Sequence, residues 1–352
     1  KDVMSNYERL IDIGVIPPQI TQITSMLRDK KGLDVEVKTS LEEGVEELKK
    51  VFTSDRMEKI KEEEINKQFK SFRTFKDVAI EVKDLHFGYT PEVEVLHGVN
   101  LKVYDGEFLS IIGQNGSGKT TLVKHLNGLL RPISGEILIY GESTKDKTIA
   151  YLSTKVGYCF QNPDHQIFSS RTWDEIAYGP RNLGYEDDKV EELVKYVSEI
   201  LGIEDLLDEN PYNLSKGQRQ QIAVASILAM QPNIIIVDEP TTGQDPKQSR
   251  SMMDLMKSLN REHNKTIVVI THDMNIAAEY SDRLVVMHSG NVLVEGTPRQ
   301  VFAHEELLRK SNLEPPQIAK AALRLGLTNP LPIDLDEAEI LIDQILEVRS
   351  HG

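Results

Sequence analysis

Residues 113–121 read GQNGSGKTT and follow a short apolar run at 108–112. This is the pattern G-x-x-x-x-G-K-[ST] between a predicted strand and a predicted helix, which is typical of a loop that binds phosphate. Glycines allow such a loop to turn successive backbone N–H groups toward an anion, and the helix N-terminus adds a partial positive charge. The glycines are Gly113, Gly116 and Gly118.

Two side chains of this loop have predicted roles in a nucleotide site. Lys119 reaches the β and γ phosphates, and Thr120 offers a hydroxyl to Mg²⁺. The alternative is a glycine-rich turn without a ligand, which the flanking strand and helix disfavour. The further loop residues predicted to contact the nucleotide are Asn115, Ser117 and Thr121.

The segment 233–240 reads NIIIVDEP. An apolar run that ends in two carboxylates is typical of a strand buried on both faces, and open α/β sheets bind ligands at the C-terminal ends of such strands. We predict that Asp238 holds Mg²⁺ and that Glu239 orients or deprotonates an attacking water. Because adjacent side chains on a strand point in opposite directions, both can serve one site only if the strand ends here. Pro240 fits such an ending.

Residues 214–230 read LSKGQRQQIAVASILAM. Ser215 can cap the helix that follows, and Gly217 permits close approach of the backbone to an anion. Alone, this stretch favours an ordinary capped amphipathic helix over a functional motif. The stretch lies between the loop at 113–121 and the acidic strand end at 233–240. In that order, it resembles the signature motif of ATP-binding-cassette (ABC) proteins.

Residues 78 to about 300 resemble one complete ATP-binding cassette. The resemblance implies an α/β fold of the P-loop type, with a parallel-sheet core, an antiparallel β subdomain and a helical subdomain, plus a small α-helical C-terminal module. Four further motifs carry it: LHFGYT, YCFQNPDHQIF, TTGQDP and VVITHD. They match the family's adenine-stacking aromatic to Tyr89, its Q-loop to Gln161, its D-loop to Asp245 and its switch histidine to His272.

In this family two cassettes pack head to tail around ATP. The resemblance therefore implies that Ser215 and Gly217 complete a site on a second cassette, in the same chain or in another subunit. It also implies that Gln218 and Asp245 bind ATP. It implies a catalytic set of Lys119, Gln161, Glu239 and His272, and Mg²⁺ held by Thr120, Gln161 and Asp238. One position departs from the family pattern, since Lys216 stands where the first of two glycines is usual. We expect the contact with ATP to survive, with a local change in charge and affinity.

The stretches FQNPDHQIF and TWDEIAYGPRNLG, at 160–168 and 172–184, resemble the ATPases of energy-coupling-factor importers. The resemblance implies Mg²⁺-dependent ATP hydrolysis that powers import of a vitamin or metal ion, from a peripheral position on the cytoplasmic face of the cell membrane. The implied partners are a transmembrane scaffold subunit and a substrate-binding membrane subunit. The residues implied to contact the scaffold are Asp164, His165, Gln166 and Phe168.

The composition bears on the alternatives. The chain has 352 residues with 41 basic and 56 acidic side chains, a net charge of −15 that argues against a nucleic-acid partner. No apolar run approaches the length that spans a bilayer, and the only cysteine, Cys159, is predicted to be a buried thiol. The main rival function is a soluble cassette ATPase that acts on ribosomes or another macromolecule and moves no cargo.

A repeat flanks the predicted cassette. IPPQI at 16–20 recurs as EPPQI at 314–318, and acidic amphipathic helices are predicted downstream of both, at 40–48 and 336–345. Glu8, Leu10 and Val15 match Glu306, Leu308 and Leu313 at the same offset. The alternative is a Pro-Pro turn shared by unrelated helices.

The repeat leads to a predicted division of the chain. Residues 1–48 are a small module resembling the tail of a preceding cassette, 49–76 a charged linker, 77–302 the cassette, and 303–352 the C-terminal module. On this interpretation the chain is the C-terminal half of a tandem two-cassette protein. The charge-rich run 42–72 is predicted to be a solvated helix or a flexible linker. Strands are predicted near 78–84, 96–103, 107–112, 233–238 and 266–270, and helices at 119–129 and 246–260. A helical region is predicted over 172–201, and it contains RTWDEIAYGPRNLG and DDKVEELVKYVSEIL.

Overall fold

The computed structural model describes residues 10, 15–53, 57 and 62–347, so Glu8 lies outside the described residues. The chain divides into two compact units. The first comprises the described parts of 1–73, 273–281 and 296–352, and the second comprises 74–272 and 282–295. Among the described residues, no helix is both long enough and apolar enough to cross a bilayer.

The α-helices and strands are numbered in chain order over the described residues. The helices are α1 (Gln19–Asp29), α2 (Leu41–Val51), α3 (Glu62–Gln68), α4 (Lys119–Leu126), α5 (Ile149–Ser153), α6 (Thr172–Asn182), α7 (Asp187–Leu201), α8 (Lys216–Leu228), α9 (Pro246–Arg261), α10 (Met274–Tyr280), α11 (Pro298–Ala303), α12 (Glu305–Lys310), α13 (Gln317–Arg324) and α14 (Leu335–Glu347). The strands are β1 (Val78–Phe87), β2 (Leu96–Tyr104), β3 (Phe108–Ile112), β4 (Ser134–Ile139), β5 (Glu142–Ser143), β6 (Val156–Cys159), β7 (Ile234–Asp238), β8 (Thr266–Ile270), β9 (Arg283–His288) and β10 (Asn291–Gly296).

The first unit is a set of helices around one apolar core. Its core side chains come from both ends of the chain: Ile20, Ile23 and Leu27 of α1, Val45 and Leu48 of α2, Ile65 of α3, Ile318 and Ala321 of α13, and Leu341, Ile342 and Ile345 of α14. Ile65 and Phe69 are buried although they belong to the charge-rich run predicted to be solvated. The hydrophobic effect on these two side chains outweighs the polar character of the run. Residues 54–56 and 58–61 of that run lie outside the described residues.

The two PPQI segments of this unit adopt closely similar local structures. Pro18 and Pro316 are the N-cap residues of α1 and α13, with φ/ψ of −50°/141° and −49°/148°. Upstream of each, corresponding backbone hydrogen bonds join Val15 N–H to Leu10 O at 2.8 Å and Leu313 N–H to Leu308 O at 2.9 Å. The sequence repeat is therefore also a structural repeat over these residues.

The second unit is built on a six-stranded sheet in the order β10-β9-β3-β8-β7-β6, in which β9, β3, β8, β7 and β6 pair in parallel. Every residue of β3, β7 and β8 is buried, as expected for central strands covered on both faces. A separate antiparallel sheet has the order β2-β1-β4-β5, and helices α6, α7 and α8 pack on one another. This arrangement confirms the predicted fold class.

The register of the central strands brings three chain segments to one edge of the parallel sheet. Ile111 of β3 pairs with Ile270 of β8, and Ile270 also pairs with Asp238 of β7. The loop 113–118 leaves β3 at that edge, and His272 follows β8. Because parallel strands end at the same side, their C-terminal segments can form one site.

Candidate nucleotide site

The loop that follows β3 has the tight backbone that its glycines predict. A Cβ atom on Gly113 would lie 2.4 Å from the carbonyl oxygen of Met287, so a larger residue would displace the loop. Gly118 has φ of +98° and is the N-cap residue of α4, a conformation that favours glycine. Asn115 and Gly116 are exposed at the tip, whereas Ser117 is buried and its Oγ has no hydrogen-bond partner among the described residues. An inward-facing hydroxyl without a partner fits a loop that is completed by a ligand.

Lys119 closes this loop from inside. Its Nζ donates to the carbonyl oxygens of Gly113 and Gln114 at 2.8 and 3.0 Å. Burial lowers the pKa of Lys119, while the nearby carboxylates of Glu239 and Asp238 oppose that shift. A buried ammonium group in the first turn of a helix is suited to binding anionic phosphate oxygens.

Asp238 ends β7 as a buried carboxylate. The hydroxyl of Tyr158 donates to its Oδ2 at 2.8 Å, and the side chain of Thr120 also forms a hydrogen bond with it. Burial raises the pKa of Asp238, and the hydrogen bonds from Tyr158 and Thr120 oppose that rise. One carboxylate beside one hydroxyl, next to the phosphate loop, is a hard-oxygen donor set that fits Mg²⁺ shared with a nucleotide.

Glu239 turns toward the same edge as Asp238 because the strand ends between them. Its φ of +46° is a left-handed conformation that is uncommon for a residue with a Cβ atom, so the predicted change of direction is present. Gln161 Nε2 and Thr242 Oγ1 both donate to its Oε2, at 2.8 and 2.9 Å. His272 Nδ1 lies 3.7 Å from that oxygen. The structure thus brings together three of the predicted catalytic side chains.

Tyr89 lies beside the phosphate loop with 61% of its surface exposed. Its hydroxyl and Thr121 Oγ1 are 3.3 Å apart, and its ring packs edge-on against Phe87 at 5.0 Å. An exposed aromatic face held in place by two contacts is suited to stacking on a planar base.

Ser215, Gly217 and Gln218 of the signature segment, and Asp245, are not part of this cluster. Ser215 caps α8 by accepting from Gln218 N–H, and Gln218 reaches back to Ser215 N–H. Asp245 caps α9 by accepting from Gln248 N–H at 2.9 Å. A pocket beside Ser215 is lined by Gly217, Gln218, Gln244 and further residues of α8 and α9, and none of its lining residues belongs to the loop 113–121.

Sequence reasoning missed two residues of this site. Tyr158 contacts Asp238, and Thr242 contacts Glu239. Thr242 lies three residues after Glu239 and could have been considered from its hydroxyl alone. Tyr158 belongs to a different strand, and its contact depends on the pairing of β6 with β7.

Comparisons with known proteins agree with this geometry. The sequence model of the ABC transporter family matches residues 96–242. The energy-coupling factor transporter ATP-binding protein EcfA of Methanocaldococcus jannaschii is 42% identical over 257 residues, which are 72% of this chain and 92% of that protein. A putative ABC transporter ATP-binding protein of Caldanaerobacter subterraneus subsp. tengcongensis is 41% identical over 329 residues, covering 93% of this chain. The match covers 57% of that relative, so this chain spans little more than half of its length.

Among solved structures, a similar fold is found in cbiO1 of Clostridium perfringens, described as part of the ABC transporter complex cbiONQ. The TM-score is 0.61 at 34% sequence identity, and the alignment covers 72% of this chain and 98% of that one. At this identity, the two proteins are similar in sequence as well as in fold.

Proposed function

The chain belongs to the ABC transporter ATPase family, and on that premise we propose that it hydrolyses ATP to drive the import of a small solute across a membrane. The proposal is supported above all by the convergence of the ends of β3 and β7, which brings Lys119, Asp238 and Glu239 to one edge of the parallel sheet. A cation for phosphate, a carboxylate for Mg²⁺ and a carboxylate for water are the groups that ATP hydrolysis requires.

Each of the site residues has one role in this proposal. Lys119 and the loop amides bind the phosphates, Tyr89 stacks on the adenine, and Asp238 and Thr120 hold Mg²⁺, with Gln161 as a further ligand. Mg²⁺ supplies charge neutralisation at the phosphates when it is bound. Glu239 accepts a proton from water, and His272, beside that carboxylate, contacts the γ-phosphate.

We further propose that hydrolysis needs a second cassette. Ser215, Gly217 and Gln218 stand at the N-terminus of α8, away from the phosphate loop, and they border a pocket that opens on the surface. The partial positive charge of a helix N-terminus attracts anions. The segment is thus suited to a nucleotide held by another cassette, which would tie hydrolysis to closure of the pair.

The membrane partner is proposed to bind next to Gln161. In the segment that follows it, Phe168 is 57% exposed and packs edge-on against Tyr178, which is 50% exposed, with ring centroids 4.6 Å apart. Asp164 forms an ion pair with Arg219 at 2.8 Å, which fixes the preceding turn. Exposed aromatic pairs beside ordered polar residues are frequent in protein interfaces. This surface is where we place a transmembrane scaffold, and with it a peripheral position at the cytoplasmic face of the membrane.

The test is capture of the chain from detergent-solubilised membranes of the source cell, in wild-type form and as Phe168→Ala/Tyr178→Ala. Co-purification of a polytopic scaffold and a small hydrophobic subunit, lost in the double variant but not in the exposed control Tyr196→Ala, is the expected result. ATP hydrolysis of the purified variants is measured in parallel and should be unchanged. Recovery of ribosomes, with no membrane protein, would contradict the import function while leaving the ATPase proposal intact.

We also propose that residues 1–48 are equivalent to the C-terminal module and belong to the tail of a preceding cassette. The structural repeat of the two PPQI segments supports this equivalence. The test is the reading frame upstream of the codon for Lys1. A second phosphate loop and signature upstream would support the tandem arrangement, and a start codon within a few codons would refute it.

A further inference from the structure

Lys216 is the position at which this chain departs from its family's signature. It is the first residue of α8, where the partial positive charge of the helix N-terminus disfavours a cation. The family's usual glycine would avoid that cost. A partner for the ammonium group of Lys216 would offset that cost.

The partner is the loop that follows Glu239. Lys216 Nζ donates to the carbonyl oxygen of Thr242 at 2.7 Å. The next residue, Gly243, has φ of +72°, and a Cβ atom there would lie 2.8 Å from Nζ. The absence of a Cβ atom at Gly243 thus leaves the space that the Lys216 ammonium group occupies.

Thr242 connects this contact to the carboxylate. Its backbone N–H donates to Glu239 O at 3.2 Å, and its hydroxyl donates to Glu239 Oε2 at 2.9 Å. Gln161 donates to the same oxygen at 2.8 Å. Two donors on Oε2 fix the rotation of the carboxylate and leave Oε1 to accept a proton from water.

We propose that Lys216 is a positioning residue for ATP hydrolysis, which acts on Glu239 through Thr242. The charge-assisted bond from Lys216 holds the Thr242 carbonyl, and with it the Thr242 hydroxyl, in the position that orients the carboxylate. The inference rests on the proposed role of Glu239 as the base. It also joins the signature segment of a cassette to that cassette's own catalytic carboxylate by direct contacts.

The experiment compares Lys216→Met, Lys216→Arg, Thr242→Val and the Lys216→Met/Thr242→Val double variant with the wild-type chain. The matched control is Lys195→Met, which removes an exposed lysine of α7. Single-turnover ATP hydrolysis measures the chemical step, and steady-state kinetics separate kcat from KM. Binding of a fluorescent ATP analogue and the thermal midpoint report whether the nucleotide site and the fold are intact.

We expect Lys216→Met and Thr242→Val each to lower the single-turnover rate about tenfold, because a misplaced catalytic group costs rate before it costs binding. The KM for ATP and the affinity for the ATP analogue should stay within about twofold of the wild-type values. Neither Lys216 nor Thr242 is assigned to contact the ATP of its own cassette. The double variant should be no slower than the slower single variant, because Lys216 acts on the carboxylate through the Thr242 hydroxyl that Thr242→Val already removes. Lys216→Arg should retain about half of the rate or more, and Lys195→Met should equal wild type.

Four outcomes would overturn the inference: a wild-type rate in Lys216→Met, a loss expressed in KM alone, fully additive losses in the double variant, or an equal loss of rate in Lys195→Met. Glu239→Gln, measured alongside, separates this inference from the proposed function. If Glu239→Gln is inactive and Lys216→Met is not impaired, only the role of Lys216 fails. If Glu239→Gln hydrolyses ATP at the wild-type rate, the assignment of the base fails first.

Discussion

Gln19 and Gln317 cap each other's helices. The side-chain oxygen of Gln317 accepts the backbone N–H of Ile20 at 3.2 Å, and that of Gln19 accepts the N–H of Ile318 at 3.2 Å. The prolines at the N-caps of α1 and α13 carry no capping group, so each helix depends on the other repeat to satisfy this N–H. Such reciprocal contacts are the pattern of a self-complementary interface between two equivalent modules.

Because the two contacts are equivalent, Gln19→Ala and Gln317→Ala should destabilise the chain by similar amounts. We expect each to lower the free energy of unfolding by about 1 kcal/mol, the usual cost of a lost cap. Urea unfolding measures both, with Glu306→Ala, an exposed residue of α12, as a control that should change the free energy by less than about 0.5 kcal/mol. A loss confined to one of the two glutamine variants would contradict the reciprocal arrangement.

The Glu239→Gln variant tests the catalytic base directly. We expect its rate of ATP hydrolysis to fall by roughly 10²–10⁴-fold, because an amide cannot accept the proton from water. ATP binding should persist, since Lys119 and the loop amides are unchanged, and the variant is expected to trap a closed pair of cassettes. Phosphate release and size-exclusion chromatography with ATP measure the two effects. Near-wild-type turnover would remove Glu239 from the mechanism.

The phosphate loop and the strand that ends at Asp238 could be predicted from the sequence. Each is a short run whose residue types are required by its own local structure. The loop at 113–121 needs its glycines, and the buried strand that ends at Asp238 needs its apolar run. The change of direction at Glu239 was likewise inferred from strand geometry, and its φ of +46° accounts for it. Helix bounds are less accurate, since the helix predicted at 119–129 ends at Leu126.

Contacts between distant segments could not be predicted. The bond from Tyr158 to Asp238 spans 80 positions, and the contact of Gln19 with Ile318 spans 299. Such contacts depend on strand order and helix packing, which periodicity does not reveal. The burial of Ile65 within a charged run has the same cause, because its neighbours in the core come from other segments.

Tyr158→Phe should weaken the magnesium site while leaving the ring contacts in place. The Tyr158 hydroxyl lowers the pKa of Asp238 against the larger effect of burial, so its removal should raise that pKa further. We expect the Mg²⁺ concentration for half-maximal ATP hydrolysis to rise about tenfold, the lower end of the range for a lost outer-shell partner. The rise should be greater at pH 6 than at pH 8, since more of the carboxyl is protonated. Tyr151→Phe, whose hydroxyl contacts the exposed Glu142, should leave the Mg²⁺ requirement unchanged.

Arg283→Met should destabilise the second unit in a pH-dependent way. Glu107 is fully buried, and Arg283 Nε lies 2.7 Å from its Oε1. Burial raises the pKa of Glu107 and Arg283 opposes this, so the variant should have a higher Glu107 pKa still. We expect a loss of about 3–5 kcal/mol at pH 8, the cost of a buried charge without its partner.

The sign of the pH dependence follows from the direction of the shift. A carboxyl whose folded pKa is raised costs nothing below its unfolded pKa of about 4.3. Its cost grows as pH rises from the unfolded pKa to the folded pKa and is constant above the folded pKa. The difference in unfolding free energy between wild type and Arg283→Met should therefore be smaller at pH 5 than at pH 8. Urea unfolding at both values measures it, and Glu107→Gln/Arg283→Met should recover part of the loss at pH 8. An equal loss at both values would mean that the Arg283 side chain stabilises the unit by packing rather than by charge.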